Sequence, residues 1–207
     1  MVWAPEAIWD DEKGQYMVYW ASKFYSSSDA RHTGSPSNTR IRYAYTSDFR
    51  TFSAPQTYID KSPADIIDLT ILPFPGGGDS DDDNITTSYL RFMKDETRKN
   101  VFLEFSTTGL FGIWTRPGGA TAYIESNVEG PAAYIDNSVA SMTVHLLLDF
   151  YNNDGYRPYQ RTISDAITAT NTGWTASSRA GFPSGLRHGS VLPLNESLYS
   201  ELRAKWG

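Results

Sequence analysis

Short apolar runs follow polar turns at regular intervals along this chain. One ionisable residue stands before each of four such runs, and these residues are Glu6, Asp68, Glu129 and His188. They lie 62, 61 and 59 residues apart. A period of about 60 residues is typical of repeat architectures in which each unit directs one functional group towards a shared centre.

Within each unit, segments rich in aromatic and β-branched residues predict further strands. These segments are 15–20 and 40–45 in the first unit, 88–93 and 101–105 in the second, and 144–150 and 156–160 in the third. Each unit closes on an aromatic residue before Ser or Thr, at Phe52, Trp114 and Trp174, and these closing residues lie 62 and 60 residues apart. The ionisable residues that open the units and the aromatic residues that close them therefore recur with nearly the same period. This agreement predicts an all-β fold, a β-propeller of four-stranded antiparallel blades with about four blades present.

The two series of recurring residues also predict the boundaries of the units within a single propeller domain over 1–207. The approximate repeats are 2–60, 61–124, 125–177 and 178–194, followed by a helix over 195–206. The fourth unit is short, because Asn195 is a good N-cap and Leu198 and Leu202 follow it at helical spacing. The last segment of the sequence is therefore predicted to be a short helix.

Composition and charge exclude several classes of function. The 207 residues carry a net charge of −6 and lack the clustered Lys and Arg that phosphate binding needs, so nucleic acid is not expected as a partner. No apolar stretch approaches the roughly 20 residues of a membrane span, so no membrane association is expected. The absence of Cys excludes disulfides and thiol chemistry. An aromatic share of 14% supplies flat apolar faces, both for strands and for stacking on sugar rings.

Five short motifs carry a family resemblance: Trp3-Ala4-Pro5-Glu6, Ile67-Asp68, Val128-Glu129-Gly130-Pro131, Gly155-Tyr156-Arg157-Pro158 and Arg187-His188-Gly189. Taken together they resemble successive blades of glycoside hydrolase family 43, whose members are five-bladed propeller enzymes. The resemblance runs from Val2 to the end of the sequence. It implies an oligo- or polysaccharide ligand that contains arabinose or xylose, and an extracellular location.

The resemblance implies a role for each matching residue. Glu129 matches the general acid of the family. Asp68 matches the carboxylate that orients this acid and keeps its pKa raised, because a second negative charge disfavours ionisation. The residues implied to bind substrate are Trp3, Glu6, Arg157 and Arg187. His188 matches a channel histidine that supports a central divalent cation such as calcium, or a water, and no further cofactor is implied.

The catalytic base is where the sequence departs from the family. The water-activating Asp of the family lies upstream of the Trp-Ala-Pro motif, whereas this sequence has two residues before Trp3. The blade that carries the base is therefore expected to be absent, and Glu6 is a weak substitute. The predicted function is binding of arabinose- or xylose-containing plant polysaccharides, or their inverting acid/base hydrolysis. The alternatives are a carbohydrate-binding propeller without turnover, and a truncated propeller that forms homo-oligomers through open blade edges.

The candidate residues also have structural interpretations. Glu129, which stands before Gly-Pro, fits a strand-edge carboxylate that accepts backbone hydrogen bonds, and Asp68 fits a structural carboxylate. His188 fits a packed core histidine equally well. The polar segment 75–84 lacks the ligand spacing of an EF-hand calcium loop and predicts a solvated loop.

Overall fold

The computed structural model of the chain describes residues 1–76, 87–136 and 142–207. Its strands are β1 (Trp3–Asp10), β2 (Gln15–Ser22), β3 (Arg40–Thr46), β4 (Gln56–Ile59), β5 (Ile66–Pro75), β6 (Thr87–Asp95), β7 (Asn100–Ser106), β8 (Glu125–Ser126), β9 (Glu129–Asp136), β10 (Thr143–Phe150), β11 (Gly155–Thr162) and β12 (Thr175–Ala176). Its helices are α1 (Ile163–Thr168) and α2 (Glu196–Trp206). In these ranges no helix is long and apolar enough to cross a membrane. Most of the predicted solvated loop 75–84 lies outside the described residues.

The strands form three four-stranded antiparallel sheets in chain order. The first sheet has the order β1-β2-β3-β4, the second β5-β6-β7-β8 and the third β9-β10-β11-β12. The first strands of the three sheets are neighbours, because β5 packs against both β1 and β9. The prediction of an all-β fold built from four-stranded antiparallel sheets is confirmed.

The hairpin between β1 and β2 illustrates how local sequence sets the strand boundaries. Oδ1 of Asp10 accepts the N–H groups of Glu12 and Lys13 at 3.0 and 3.2 Å. Gly14 takes a φ of 60°, a left-handed conformation that glycine adopts without steric cost, and its N–H closes the turn on the Asp10 carbonyl at 2.8 Å. The polar turn therefore fixes where β1 ends and β2 begins.

The fourth predicted unit, 178–194, differs from the sequence prediction. It contains turns and extended backbone but no strand, so the described residues form three sheets rather than about four. A strand needs a neighbouring strand that pairs with its backbone N–H and C=O groups. In this segment the carbonyl of Leu186 accepts an isolated hydrogen bond from Tyr156 N–H at 2.8 Å. Phe182 packs on the outer face of the third sheet. The segment therefore covers the third sheet and does not begin a fourth.

The edge strand of the second sheet also lies elsewhere than predicted. Thr115, next to the predicted closing residue Trp114, makes one isolated bridge to Phe105. The edge strand is β8, which pairs with the start of β7 and lies just beyond the predicted unit boundary at 124. In the third sheet, by contrast, β12 begins directly after Trp174, where the closing register placed it.

Both faces of the second sheet are buried. Successive side chains of a strand point to opposite faces, so Tyr89 and Met93 of β6 face the first sheet and Leu90 and Phe92 face the third. Their partners are Met17, Tyr19 and Ile41 on one side, and Val144, Leu146 and Leu148 on the other. Burial on both sides explains why large apolar residues stand at consecutive positions of β6 on either side of Arg91.

One buried ion pair interrupts this apolar core. Arg91 of β6 lies in the same buried layer as Tyr89, and its Nε and Nη2 donate to Glu104 Oε2 at 2.9 and 2.5 Å. Lys61 Nζ donates to the other oxygen of Glu104 at 2.6 Å. The guanidinium also lies 3.9 Å from the centroid of the Trp114 ring. The cluster satisfies charges that would otherwise be costly to bury.

We expect this cluster to make the stability of the protein depend on pH. Burial acts to raise the pKa of Glu104, but Arg91 and Lys61 outweigh it and hold the pKa below its usual value. A lowered folded-state pKa contributes stability that is complete above the unfolded-state value of 4.5 and is lost as the pH falls through the folded-state value. Urea unfolding from about pH 6 to about pH 3 should show a fall in the midpoint. A Glu104→Gln variant with the same pH dependence would contradict this assignment.

Candidate functional site

Each of the three first strands carries a β-bulge near its beginning. The registers shift between Trp3 and Glu6 in β1, between Ile67 and Thr70 in β5, and opposite Glu129–Ala132 in β9. At these points Ala4, Asp68 and Gly130 have φ values of 45°, 55° and 51°. A positive φ is uncommon for residues other than glycine, and such strain clusters at functional sites.

The sequence period suggested that Glu6, Asp68 and Glu129 occupy equivalent positions in their strands. The bulges show that they do not. Asp68 occupies the bulge itself, Glu6 follows its bulge residue Ala4 by two positions, and Glu129 precedes its bulge residue by one. The structural repeat is therefore 64 and then 62 residues, where the sequence suggested 62 and 61. An extra residue in a strand re-aims the side chains around it, which is why residues at unequal positions still converge.

A cleft of about 340 Å³ lies at these bulges. The residues that line it are Trp3, Ala4, Ile67, Asp68, Glu129 and His188. The structure thus brings together four of the residues predicted from sequence: Trp3, Asp68, Glu129 and His188. Glu6, Arg157 and Arg187 are not among the lining residues.

Asp68 is held rigidly at the back of the cleft and is only 6% exposed. Its Oδ2 accepts the N–H of Gly130 at 3.1 Å, and its Oδ1 lies 3.9 Å from Nδ1 of His188. Burial raises the pKa of Asp68; the nearby His188 and the Gly130 hydrogen bond oppose this rise, and the charge of Glu129 adds to it. The net effect is a pKa of the Asp68 carboxyl above its usual value.

Glu129 is paired with two cations. Its Oε2 lies 2.9 Å from Nζ of Lys94, and its Oε1 lies 3.7 Å from Nη2 of Arg187. Lys94 also pairs with Glu96 at 2.7 Å, although its side chain is only 3% exposed. Burial acts to lower the pKa of Lys94, but the bonds to Glu96 and Glu129 outweigh it and raise the pKa. The ammonium is therefore a fixed positive charge against Glu129.

Segment 186–190 crosses the ends of the third sheet and brings His188 to the cleft. Nε of Arg187 donates to both oxygens of Asp149, at 2.8 and 3.0 Å, and Asp149 is fully buried. The hydroxyl of Tyr156 donates to the carbonyl of Gly130 at 2.8 Å and accepts the N–H of Gly189 at 2.7 Å. These bonds fix the segment although it belongs to no sheet.

Gly130 leaves the space into which His188 fits. A Cβ at position 130 would lie 2.7 Å from Cγ of the His188 ring, closer than real contacts allow. Together with its φ of 51°, this explains why glycine stands between the candidate acid and Pro131. His188 is thus neither a packed core residue nor a free surface one, because its ring lies between Gly130 and Asp68.

Glu6 lies behind the cleft as part of the framework. It accepts hydrogen bonds from the hydroxyl groups of Tyr19 at 3.0 Å and Ser190 at 2.8 Å. Burial raises the pKa of Glu6, and the hydrogen bonds from Ser190, Thr70 and Tyr19 oppose the rise. Since Ser190 is the last residue of segment 186–190, this bond connects that segment to Glu6 of the first sheet.

The remaining two candidate contacts lie apart from the lining. Arg157 pairs with Asp154 at 3.1 Å and stacks 4.1 Å from the Phe150 ring centroid, so its guanidinium is engaged within the third sheet. Arg187 reaches the cleft only through its contact with Glu129. No cluster of three or more His, Asp or Glu that could hold a metal ion occurs among the described residues. No chemical step is assigned to a cation.

Sequence reasoning missed three residues of the site: Lys94, Asp149 and Tyr156. Lys94 lies in β6 opposite Ile67, one residue beyond the predicted strand segment 88–93. Asp149 offered a usable signal, because it is a lone carboxylate inside the apolar run of β10, and a buried carboxylate requires a partner. Tyr156 stands in one of the five motifs, but no role was given to it, since an aromatic residue in a strand is ordinary core material.

Comparisons with known proteins indicate a family for the chain. A family model for glycosyl hydrolase domains related to family 43, described as a probable glycosyl hydrolase domain, matches residues 1–200. Over 123 aligned positions the chain is 34% identical to an alpha-L-arabinofuranosidase of Bifidobacterium longum subsp. longum, covering 51% of this chain and 10% of the relative. The chain thus spans about a tenth of that relative's length. The solved structure of Hadza microbial sialidase Hz136 aligns with a TM-score of 0.49 and 16% identity, over 85% of this chain and 33% of that one.

Proposed function

Since this chain belongs to the family of glycosyl hydrolase domains related to family 43, we propose that its cleft is a glycoside hydrolase site for arabinose- and xylose-containing polysaccharides. Glu129 donates a proton to the departing glycosidic oxygen, and Asp68 holds Glu129 in position. The alpha-L-arabinofuranosidase relative makes an arabinosyl unit the first choice for the sugar in the cleft. Trp3, which is 49% exposed, supplies a ring on which that sugar stacks.

The hydrogen bond between Asp68 and Gly130 is the observation that carries this proposal. It joins the second sheet to the third at the residue that follows Glu129, at 3.1 Å. Catalytic groups must be held close to their productive geometry by a rigid surrounding. Asp68 is buried, has a strained backbone and fixes the backbone next to Glu129. This arrangement supports the role of orienting residue for Asp68 and that of acid for Glu129.

We further propose that the three sheets are successive blades of a β-propeller. Two features support this: the first strands of the three sheets are neighbours, and the candidate site lies at the same end of all three. In a propeller these strands line a central channel and the functional groups lie at its mouth.

Inverting hydrolysis also requires a carboxylate that activates water, some ~6.5 to 9.5 Å from the acid. Asp68 and Glu129 are the carboxylates among the described residues that line the cleft, and Asp68 is bonded to Gly130. Glu6, the weak substitute, is held by Tyr19 and Ser190. We therefore expect this chain to bind pentose oligosaccharides, to hydrolyse them slowly, and to accept azide as a nucleophile in place of activated water.

Calorimetric titration of the full chain with three trisaccharides tests the proposal. Arabinotriose or xylotriose should bind, whereas cellotriose, which is built from hexoses, should bind more weakly or not at all. The basis for this preference is the likeness of the chain to an alpha-L-arabinofuranosidase and the family to which it belongs. Equal affinity for cellotriose, or no binding of either pentose trimer, would overturn the proposal.

A carbohydrate-binding site without turnover is the second candidate function. The ion pairs of Glu129 with Lys94 and Arg187 favour it, because a carboxylate held in this way accepts bonds from sugar hydroxyls without giving up a proton. Azide separates the two candidates. A hydrolase site forms arabinosyl azide from arabinotriose, whereas a binding site leaves the trimer intact at the same occupancy.

We also propose that the protein is extracellular, as the resemblance to glycoside hydrolase family 43 implies. A separate proposal is that it self-associates. The basis for association is the face of the first sheet turned away from the second, where Trp9 and Tyr16 are 45% and 37% exposed. A contiguous patch of exposed apolar side chains marks an interaction surface, and the ring of Tyr16 contacts those of Trp9 and Phe49 here. Sedimentation velocity should show a species larger than a monomer, and Trp9→Ser should reduce it. A monomer at all concentrations would contradict this prediction.

A further inference from the structure

We propose that a second cavity, next to the candidate cleft, binds another neutral sugar unit, so that the ligand is an oligosaccharide that spans both sites. This inference rests on the proposed function and extends it. The second cavity has a volume of about 430 Å³ and lies between the first and second sheets. Its size falls within the range of small-ligand sites.

The two cavities share their border. Trp3 and Ile67 line both of them. An exposed indole between two cavities offers a stacking surface to a sugar in each, since the faces of pyranose and furanose rings are largely apolar. The border is therefore suited to a linkage between two sugars.

Lys94 forms a second connection between the cavities. Its ammonium bonds to Glu129 on the side of the cleft and to Glu96 on the side of the second cavity. Glu96 in turn pairs with Lys99, and both Glu96 and Lys99 line the second cavity. The same run of ion pairs thus borders both sites.

The charges of the second cavity favour a neutral ligand. Two cations, Lys23 and Lys99, are balanced by two anions, Asp65 and Glu96. Lys23 Nζ lies 6.0 Å from the centroid of the Trp3 ring, so a donor stands beside the stacking surface. Sugar hydroxyls both donate and accept hydrogen bonds, and they match a lining that holds ammonium donors together with carboxylate acceptors. A phosphate or a uronate would meet as much repulsion as attraction.

The loop between β2 and β3 gives a way to fill this cavity without touching the cleft. Ser37 lies in this loop, lines the second cavity and is exposed. Ser37→Trp places a bulky ring in the cavity, while Asp68, Glu129 and His188 keep their contacts. Ser28→Trp is the matched control, because Ser28 is an exposed serine of the same loop outside the lining.

Calorimetric titration with arabinose and with α-1,5-arabinotriose tests the inference. The unsubstituted protein should bind the trimer at least about tenfold more tightly than the monosaccharide, as expected when a second unit adds stacking and charged hydrogen bonds. Ser37→Trp should remove this difference without changing the affinity for arabinose, and Ser28→Trp should retain it. Lys23→Ala should reduce the difference by several-fold, with Lys13→Ala, an exposed lysine of the β1–β2 turn, as its control.

The outcomes separate the second site from the proposed function. Equal affinities for arabinose and arabinotriose, or a difference that Ser37→Trp leaves intact, would overturn the second site while the cleft keeps its function. No binding of either sugar would overturn both.

Discussion

Glu129→Gln should lower the azide-supported cleavage of arabinotriose by about 10²- to 10⁴-fold, the usual contribution of a general acid. In the cleavage reaction azide forms the new bond to the anomeric carbon as the glycosidic C–O bond breaks. The proton of Glu129 passes to the leaving oxygen, and the product is an arabinosyl azide of inverted configuration. Glutamine preserves the shape of the side chain but cannot supply this proton. Chromatography of the arabinosyl azide measures the rate.

A nitrophenyl arabinofuranoside provides the control for this prediction. Its leaving group departs as an anion and needs little protonation, so Glu129→Gln should retain most of the azide-supported cleavage of this substrate. The contrast between the two substrates separates loss of the acid from damage to the cleft. If both substrates lose cleavage equally, Glu129 positions the sugar and is not the acid. If neither loses it, the residue has no role in the reaction.

Glu104→Ala should destabilise the fold by about 3–5 kcal/mol, because it leaves the buried guanidinium of Arg91 without its carboxylate. Arg91 is only 6% exposed, and its Nε and Nη2 both donate to Glu104. The stacking on Trp114 remains but does not neutralise the charge. Urea unfolding followed by tryptophan fluorescence gives the free energy of unfolding.

Glu201→Ala is the matched control for the stability prediction. Glu201 is exposed on α2 and has one weak described contact, at 3.4 Å from the Ser197 hydroxyl. Its replacement should change the free energy of unfolding by less than about 0.5 kcal/mol. A loss at Glu104 no larger than that at Glu201 would show that Arg91 finds another partner or water when its carboxylate is removed.

The strands of the three sheets could largely be predicted from the sequence. Aromatic and β-branched segments separated by polar turns placed β2, β3, β6, β7, β10 and β11 close to their observed bounds. The short helix α1 was missed, because its six residues give too little periodicity to separate a helix from a loop. The fourth unit was overestimated for a different reason. Val191 and Leu192 fit a strand locally, but a strand exists only where another one lies beside it.

The sequence by itself determined which kinds of residue form the site. The recurring carboxylates and the Arg-His-Gly motif pointed to Asp68, Glu129 and His188, and the structure places these three on one cleft. For Asp68 and Glu129 this was possible because a repeat brings residues at nearly equal intervals to one end of neighbouring strands. It required no knowledge of the packing between the sheets.

Only the tertiary structure decided where the carboxylates lie relative to the bulges and which charged side chains pair with them. The bulges at Ala4, Asp68 and Gly130 shift the carboxylates out of equivalence, and a bulge arises from pairing between strands. The partners of Glu129 and Asp149 come from positions 35 and 38 residues away, Lys94 and Arg187. Ion pairs of this kind depend on which side chains are buried together, because burial makes an unpaired charge costly. Sequence spacing carries no information about that cost, so the ionic surroundings of the candidate acid emerged only from the packing of the second and third sheets.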